Sequence, residues 1–307
     1  MDITLALGGG GVRGIAHIGV IKTLEEHQFK IKAIAGTSAG GLVGSVYAAG
    51  FSTQKMIDAF EDFDPLRTFS RQPDDPPSLL GLGGIAEKLS NLLADRTFDE
   101  LEIPFAATAV SLYSGKEIIL NKGKVLDAVL ATSAVPGVFP SQKIGGRVLV
   151  DGGVIDPVPV QVARWLRPDL PVVAVMLHKR PPDHPDDELP MPISIPGPST
   201  IVERLNNLRP VQAFKIFSRS SDVSGKHLTE LTMLLYKPEV IIAPPVGHIG
   251  LLQKIDVNEL VQAGITATEE TLQKIEAEAN WVKKLQRKVK NRVIPDPLPD
   301  YWGNIEE

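Results

Sequence analysis

The strongest constraint on this chain is one local pattern that occurs three times: an apolar run that breaks into a turn crowded with small residues. Residues 3–7 run into Gly8-Gly9-Gly10-Gly11-Val12-Arg13-Gly14, and residues 31–35 run into Gly36-Thr37-Ser38-Ala39-Gly40. The third case is Val148-Leu149-Val150 before Asp151-Gly152-Gly153. Short runs that are apolar at nearly every position suit strands covered on both faces. After the first turn Ile15, Ile18, Ile21 and Leu24 recur at helical spacing, and after the second a small-residue helix is expected to end near Gly50. Strand, helix, strand, helix in such quick succession predicts an α/β fold with a central, mostly parallel sheet flanked by helices. All three turns are then expected at one edge of that sheet, where open α/β folds place their ligands.

Further along, residues 64–93 hold Pro65, Pro73, Pro76 and Pro77 with Gly81, Gly83 and Gly84, which reads as an irregular insertion. Strand signals return over 105–112, 116–120 and 172–177, with helices expected over 124–132 and 160–166. Residues 180–198 carry seven prolines and four acidic side chains, a composition that suits a linker or flap. Helical spacing resumes over 201–218 and 226–235, a short strand is expected at 240–243, and 257–292 reads as largely helical. The expected organisation is a catalytic core over 1–178 with its insertion at about 64–93, a Pro-rich loop over 179–200, and a mainly helical C-terminal region over 201–307 that packs on the core.

Composition narrows the function. In 307 residues, 32 Lys and Arg stand against 37 Asp and Glu, a net charge of −5, which argues against a nucleic-acid partner. The absence of cysteine removes disulfides, thiolate metal sites and a Cys nucleophile. The six histidines show no metal-ligand spacing, so no metal and no organic cofactor is expected. No apolar run reaches eighteen residues, and Met1-Asp2-Ile3-Thr4 lacks the basic start of a signal peptide. The expected address is cytoplasmic, with peripheral association to a membrane surface left open.

Ser38 lies in a G-x-S-x-G sequence between a strand and a helix, the setting in which a sharp turn exposes a nucleophilic hydroxyl. Gly36 and Gly40 are the small neighbours such a turn requires. An ordinary strand-to-helix turn remains the plain alternative. The glycine loop also has two readings. A dinucleotide loop needs an acidic residue closing the second strand, and this strand closes on Gly36-Thr37-Ser38. An oxyanion hole needs free backbone N–H groups, which Gly9, Gly10 and Gly11 offer, with Arg13 as nearby positive charge. Asp151 is either a turn cap, supported by Gly152 and Gly153, or the general base for Ser38.

The glycine loop with Arg13 and Gly14, the G-x-S-x-G and the D-G-G, in that order, resemble the patatin-like phospholipase family. Leu5-Ala6-Leu7-Gly8-Gly9-Gly10-Gly11, Ala16-His17-Ile18-Gly19-Val20 and the stretch from Ala131 to Pro140 are similar to its bacterial branch, related to neuropathy target esterase. The resemblance covers roughly residues 3 to 177. It implies a three-layer fold and a Ser–Asp dyad without histidine: Ser38 as nucleophile, Asp151 as base, and Gly9, Gly10, Gly11 and Arg13 as the oxyanion hole. The implied substrate is a lipid ester, a phospholipid or lysophospholipid. Asp156 departs from the Asn that many relatives carry shortly after the D-G-G.

Two rivals stand beside this reading. Ser38, Asp151 and His248 follow the chain order of an α/β-hydrolase triad, although the Ser comes too early for that fold. A lipid- or protein-binding module on a hydrolase scaffold is the non-enzymatic alternative. Lys283, Lys284, Arg287, Lys288, Lys290 and Arg292, with Val282, Leu285 and Val289 as an apolar stripe beneath, read as a solvated surface helix or as a contact for anionic headgroups. Residues 64–93 and 180–198 are expected to lie near the site mouth as a cover.

Overall fold

The structure is a computed structural model that describes residues 1–61, 68–69, 71, 74–179, 209–290 and 302–303. The chain opens with strand β1 (Asp2–Leu7), a 3₁₀ turn (Gly11–Ile15), helix α1 (Ala16–Glu26), β2 (Lys30–Gly36) and α2 (Ala39–Ala48). Helices α3 (Thr53–Glu61) and α4 (Gly83–Leu93) follow, then β3 (Phe105–Ser111), β4 (Glu117–Leu120) and α5 (Val125–Thr132). A hairpin of β5 (Gln142–Ile144) and β6 (Arg147–Asp151) precedes α6 (Val160–Leu166) and β7 (Val172–Val175). The C-terminal part contains α7 (Arg209–Tyr236), β8 (Val240–Ile242), α8 (Val257–Glu269), α9 (Leu272–Ala279), α10 (Trp281–Lys290) and β9 (Trp302–Gly303).

The sheet runs β5-β6-β3-β2-β1-β7-β8, with β4 on β3 and β9 on β4. The pairs β1–β2, β1–β7, β2–β3 and β7–β8 are parallel. Alternation along the strands divides the core in two. Ile3, Leu5 and Leu7 of β1 face the larger cluster with α1, α2, α4 and α5. On the other face Ala6, Ala35, Ala106 and Ala174 form a shallow surface on which Val160, Val162 and Ala163 of α6 sit, with Met233 and Tyr236 of α7 packed against them. Small side chains there let the helix approach closely. The result is the expected layered α/β fold with a helical C-terminal region, and α8 lies against α1.

Three local expectations are corrected. The insertion is not irregular throughout, because Ile85, Leu89 and Leu93 bury one face of α4. The hairpin β5–β6 was not foreseen; it turns on Gly145 and Gly146, both at positive φ (56° and 76°), the backbone that a two-residue hairpin loop requires. Periodicity over 226–235 belongs to the single helix Arg209–Tyr236, which is continuous across 219–225. The Pro-rich segment over 180–198 lies outside the described residues.

The pairing of β3 positions the site. Ala107 of β3 pairs with Gly36 of β2 and with Leu120 of β4, so β2 and β4 hold opposite edges. Ala109 pairs with Asp151 of β6 and with Ile118 of β4, which puts β6 on the same edge as β2. β2 runs parallel to β3 and β6 antiparallel, so the two strands end head to head. Ser38 and Asp151 follow from that junction. The third turn therefore does not arrive from a parallel strand, as the sequence pattern suggested.

Candidate active site

Ser38 occupies the turn between β2 and α2 at φ 54° and ψ −121°, a conformation that non-glycine residues rarely adopt. Neighbouring hydrogen bonds hold it there. The Thr37 N–H donates to the Leu7 carbonyl at 3.0 Å, and the Ser38 N–H donates to the Thr132 hydroxyl at 2.8 Å. The Thr37 hydroxyl donates to the Asp156 carbonyl at 2.9 Å and lies 2.8 Å from the Thr108 hydroxyl. Gly40 is required because a Cβ there would run into the carbonyl of Leu7 at the end of β1. Gly36, Gly14 and Gly152 are packed as tightly, against the backbone of Gly40 and Gly41, the side chain of Ala39, and Thr108 respectively. α2 starts immediately after Ser38, so its N-terminal dipole favours negative charge there.

Asp151 is buried at the end of β6. Its carboxylate accepts the Gly153 N–H at 2.7 Å. Burial pushes the carboxyl up to about 6, while hydrogen bonding to the Ser38 side chain and to the Gly153 amide acts in the opposite direction. A carboxyl at about 6 is mostly ionised at neutral pH, and Asp151 lines one cavity with Ser38 while it caps its own turn.

In the glycine loop the amides divide. The Gly9 N–H is committed to the Pro157 carbonyl at 2.9 Å, and the Arg13 N–H reaches back to the Gly10 carbonyl at 3.3 Å. The amides of Gly10 and Gly11 have no hydrogen-bond partner among the described residues, and both glycines line the same cavity as Ser38 and Asp151. Gly11 sits at φ 59°, and a Cβ there would strike the Leu251 carbonyl. Arg13 does not border that cavity. Its buried guanidinium donates to the Ile249 carbonyl at 2.6 Å and to Asp222 at 3.0 Å. Gly9 and Arg13 therefore shape the loop, and Gly10 and Gly11 carry the free donors. His17 adds a brace: its buried ring, held neutral by burial with a pKa pushed down to about 4, donates from Nε2 to the Gly8 carbonyl at 2.8 Å.

The cavity above these groups has a volume of about 530 Å³. One wall is apolar, built by Leu42, Val43, Phe60, Phe69, Leu82, Ile85, Val138 and Phe139. Phe69, Leu82 and Ile85 come from the insertion, which thus borders the site. α7 lines the cavity with Ser218, Ser221, Asp222 and Ser224 and also with Phe217 and Leu228, and His178 joins them. The sequence reading passed over His178, although it follows β7 at the edge where the other turns emerge. His248, the triad candidate, is not among the residues that line the cavity. Among the described residues no cluster of His, Cys, Asp and Glu is arranged to hold a metal ion.

The basic C-terminal run is partly neutralised within the chain. Lys284 pairs with Asp2 at 2.8 Å, Arg287 with Glu278 at 2.7 Å, and Lys283 with Glu278 at 3.4 Å. Trp281, Val282 and Leu285 of α10 are exposed, so Val282 and Leu285 of the expected stripe are not buried beneath the basic residues. No described helix is long and apolar enough to cross a membrane.

A strained Ser at a G-x-S-x-G turn, an Asp at a D-G-G turn and a glycine loop thus border one cavity. Residues 5–164 match the sequence model of the family "Patatin-like phospholipase", and the chain belongs to that family. A Mycobacterium tuberculosis protein described as "Uncharacterized NTE family protein Rv1063c" is 38% identical over 184 residues, which is 57% of this chain and 49% of that protein. A second protein from that organism, "Uncharacterized NTE family protein Rv2565", is 30% identical over 89% of this chain and 46% of its own length. "Lysophospholipase nte1" of Emericella nidulans is 26% identical over 93% of this chain and 19% of its own length. The chain thus spans about half the length of the bacterial relatives and about a fifth of the fungal one. Among solved structures, VipD from Legionella pneumophila aligns with a TM-score of 0.47 and 13% identity, covering 90% of this chain and 66% of that one.

Proposed function

We propose that this chain is a serine acyl hydrolase that cleaves lipid acyl esters, phospholipid or lysophospholipid, through a Ser38–Asp151 dyad. The observation that carries the proposal is the strained Ser38, which lines a largely apolar cavity together with the buried Asp151 carboxyl and the Gly10 and Gly11 loop. Ser38 Oγ attacks the ester carbonyl as Asp151 takes its proton. The oxyanion forms against the N–H groups of Gly10 and Gly11, with the α2 N-terminus behind them. Asp151 then returns the proton to the departing alcohol. A water that gives its proton to Asp151 then attacks the acyl-Ser38 ester, and Asp151 passes that proton to the departing Ser38 oxygen, which releases the fatty acid and restores both groups. No metal or organic cofactor takes part in this scheme. The apolar wall suits an acyl chain and the α7 wall a polar portion of the lipid. Exposed Trp281, Val282 and Leu285 beside cationic side chains support peripheral contact with a lipid surface.

The test is a panel of phospholipids and lysophospholipids presented in mixed micelles, with fatty-acid release measured for the parent protein and Ser38→Ala. The expected result is release by the parent on at least one lipid and none by the variant. A folded parent that binds these lipids and releases no fatty acid would instead establish the binding module.

A further inference from the structure

The turn after the D-G-G ties the two halves of the site together. The Asp156 carbonyl accepts the Thr37 hydroxyl at 2.9 Å, next to Ser38, and the adjacent Pro157 carbonyl accepts the Gly9 amide at 2.9 Å, next to Gly10 and Gly11. Two consecutive carbonyls thus set both the nucleophile's turn and the donor loop. The Asp156 N–H is itself fixed to the Gly152 carbonyl at 2.9 Å. What orients this short segment from beneath is the Asp156 side chain. It is buried and contacts the carboxyl of Glu117 of β4, which is buried as well.

Two carboxyl groups in contact away from water cannot both be ionised without strong repulsion, and an ionised pair has no hydrogen between its oxygens. We infer that Asp156 is a positioning residue which shares one proton with Glu117, and that this proton-bridged pair holds the Asp156–Pro157 carbonyls that align Ser38 with the Gly10 and Gly11 amides. Among the described residues, the groups facing the Asp156 carboxyl are Glu117 from β4 and the Val158 amide from its own turn. Thr37 and Thr108 bring only hydroxyls from β2 and β3, and Asp151 is engaged with Ser38 and Gly153. Burial and the Glu117 charge both push the Asp156 carboxyl well above its ordinary range, in agreement with a retained proton. Loss of the bridge at alkaline pH should loosen the turn and slow the reaction.

The inference rests on the proposed hydrolase reading for its kinetic consequence and not for its structural one, so the test has two arms. In the first, infrared difference spectroscopy of the full chain at about pH 8, where Asp151 is ionised, compares the parent with Asp156→Asn. A protonated-carboxyl C=O band in the parent that disappears in the variant is expected; no such band in the parent overturns the inference whatever the activity. In the second, kcat and KM for ester hydrolysis are followed against pH. Asp156→Asn, whose amide can donate to Glu117 without a shared proton, should keep kcat near the parent value and abolish the alkaline decline. Asp156→Ala should lose kcat on the order of tenfold to a hundredfold with KM little changed. Equal loss in the folded Asn and Ala variants, or an unchanged alkaline limb in Asp156→Asn, would overturn the inference. A parent without hydrolase activity overturns the proposed function while the infrared arm still decides the pair.

Discussion

The floor and the walls of the cavity are built by different means. At the floor, the Gly8–Gly14 loop, the Ser38 turn and the Asp151–Val158 segment meet backbone to backbone. Backbone amides of Thr37 and Gly9 bond to the Leu7 and Pro157 carbonyls, and the Thr37 hydroxyl adds a bond to the Asp156 carbonyl. Side chains scarcely fit, as the missing Cβ atoms of Gly11, Gly36 and Gly40 show. The walls are side chains from separated elements, α2, α3, α4, the 133–139 stretch and α7, packed on one another, with Phe69 against Phe139 at a ring separation of 4.8 Å. For the proposed hydrolysis, a backbone-locked floor would hold Ser38, Asp151 and the Gly10 and Gly11 amides within the small tolerance that chemistry requires. Walls of interchangeable side chains can alter what is bound without disturbing that geometry.

This contrast can be broken in graded steps. The largest effect is expected at the reacting pair: Ser38→Ala and Asp151→Asn should each lower kcat on the order of 10⁴-fold or more, and the double variant should be no worse than either. His248→Ala should leave kcat close to the parent value. Next come the floor glycines. Gly40→Ala, which forces a methyl group onto the Leu7 carbonyl, should destabilise the protein by about 3 kcal/mol in denaturant titrations. Gly11→Ala, at φ 59° and against Leu251, should cost about 100-fold in kcat if the loop's donors are displaced.

The buried carboxylate sharpens the contrast further. The folded pKa of Asp151, about 6, lies above its ordinary 3.8. Its protonated form is therefore favoured by folding, and the stability this provides is full below about pH 3.8 and lost as pH rises through about 6. Asp151→Asn, which cannot ionise, should be more stable than the parent at neutral pH by up to about 3 kcal/mol, with the difference vanishing in acid. Thermal unfolding followed across pH checks both the sign and the window. The smallest effect is expected at the walls, where Phe139→Leu should cost about 1 kcal/mol of stability and shift the relative kcat/KM among acyl-chain lengths by about tenfold.

Much of the floor was legible because turns of this kind leave local marks. Small residues at the ends of apolar runs marked Ser38, Asp151 and the Gly9–Gly11 loop as candidates, and the resemblance to the family implied their roles. The direction of β6 could not, since Val148-Leu149-Val150 reads the same in a parallel or an antiparallel strand. That direction is what brings Asp151 head-on to Ser38. The roles of Gly9 and Arg13 were also hidden. Which amide stays free depends on Pro157, and where the guanidinium points depends on Asp222 and Ile249, all distant in sequence. The walls were the least legible part. The cavity gathers Phe69, Phe139, Phe217 and His178 from segments whose local patterns say only that they are helix, strand or turn. The Pro and Gly of the insertion also masked α4, whose apolar spacing at Ile85, Leu89 and Leu93 outweighs Gly83 and Gly84 at its first turn.

In the proposed reaction the buried Asp151 carboxylate activates Ser38, and this activation is open to direct measurement. It is tested most directly by covalent labelling with a fluorophosphonate, followed by mass spectrometry and measured as a rate against pH. The account predicts a single adduct on Ser38, none in Ser38→Ala, and a labelling rate that rises with pH through about 6 as Asp151 ionises. In Asp151→Asn that rise should vanish and the rate should fall to the background level of an ordinary serine. An adduct on another residue, or an Asp151→Asn protein that labels at the parent rate with the same pH dependence, would contradict it.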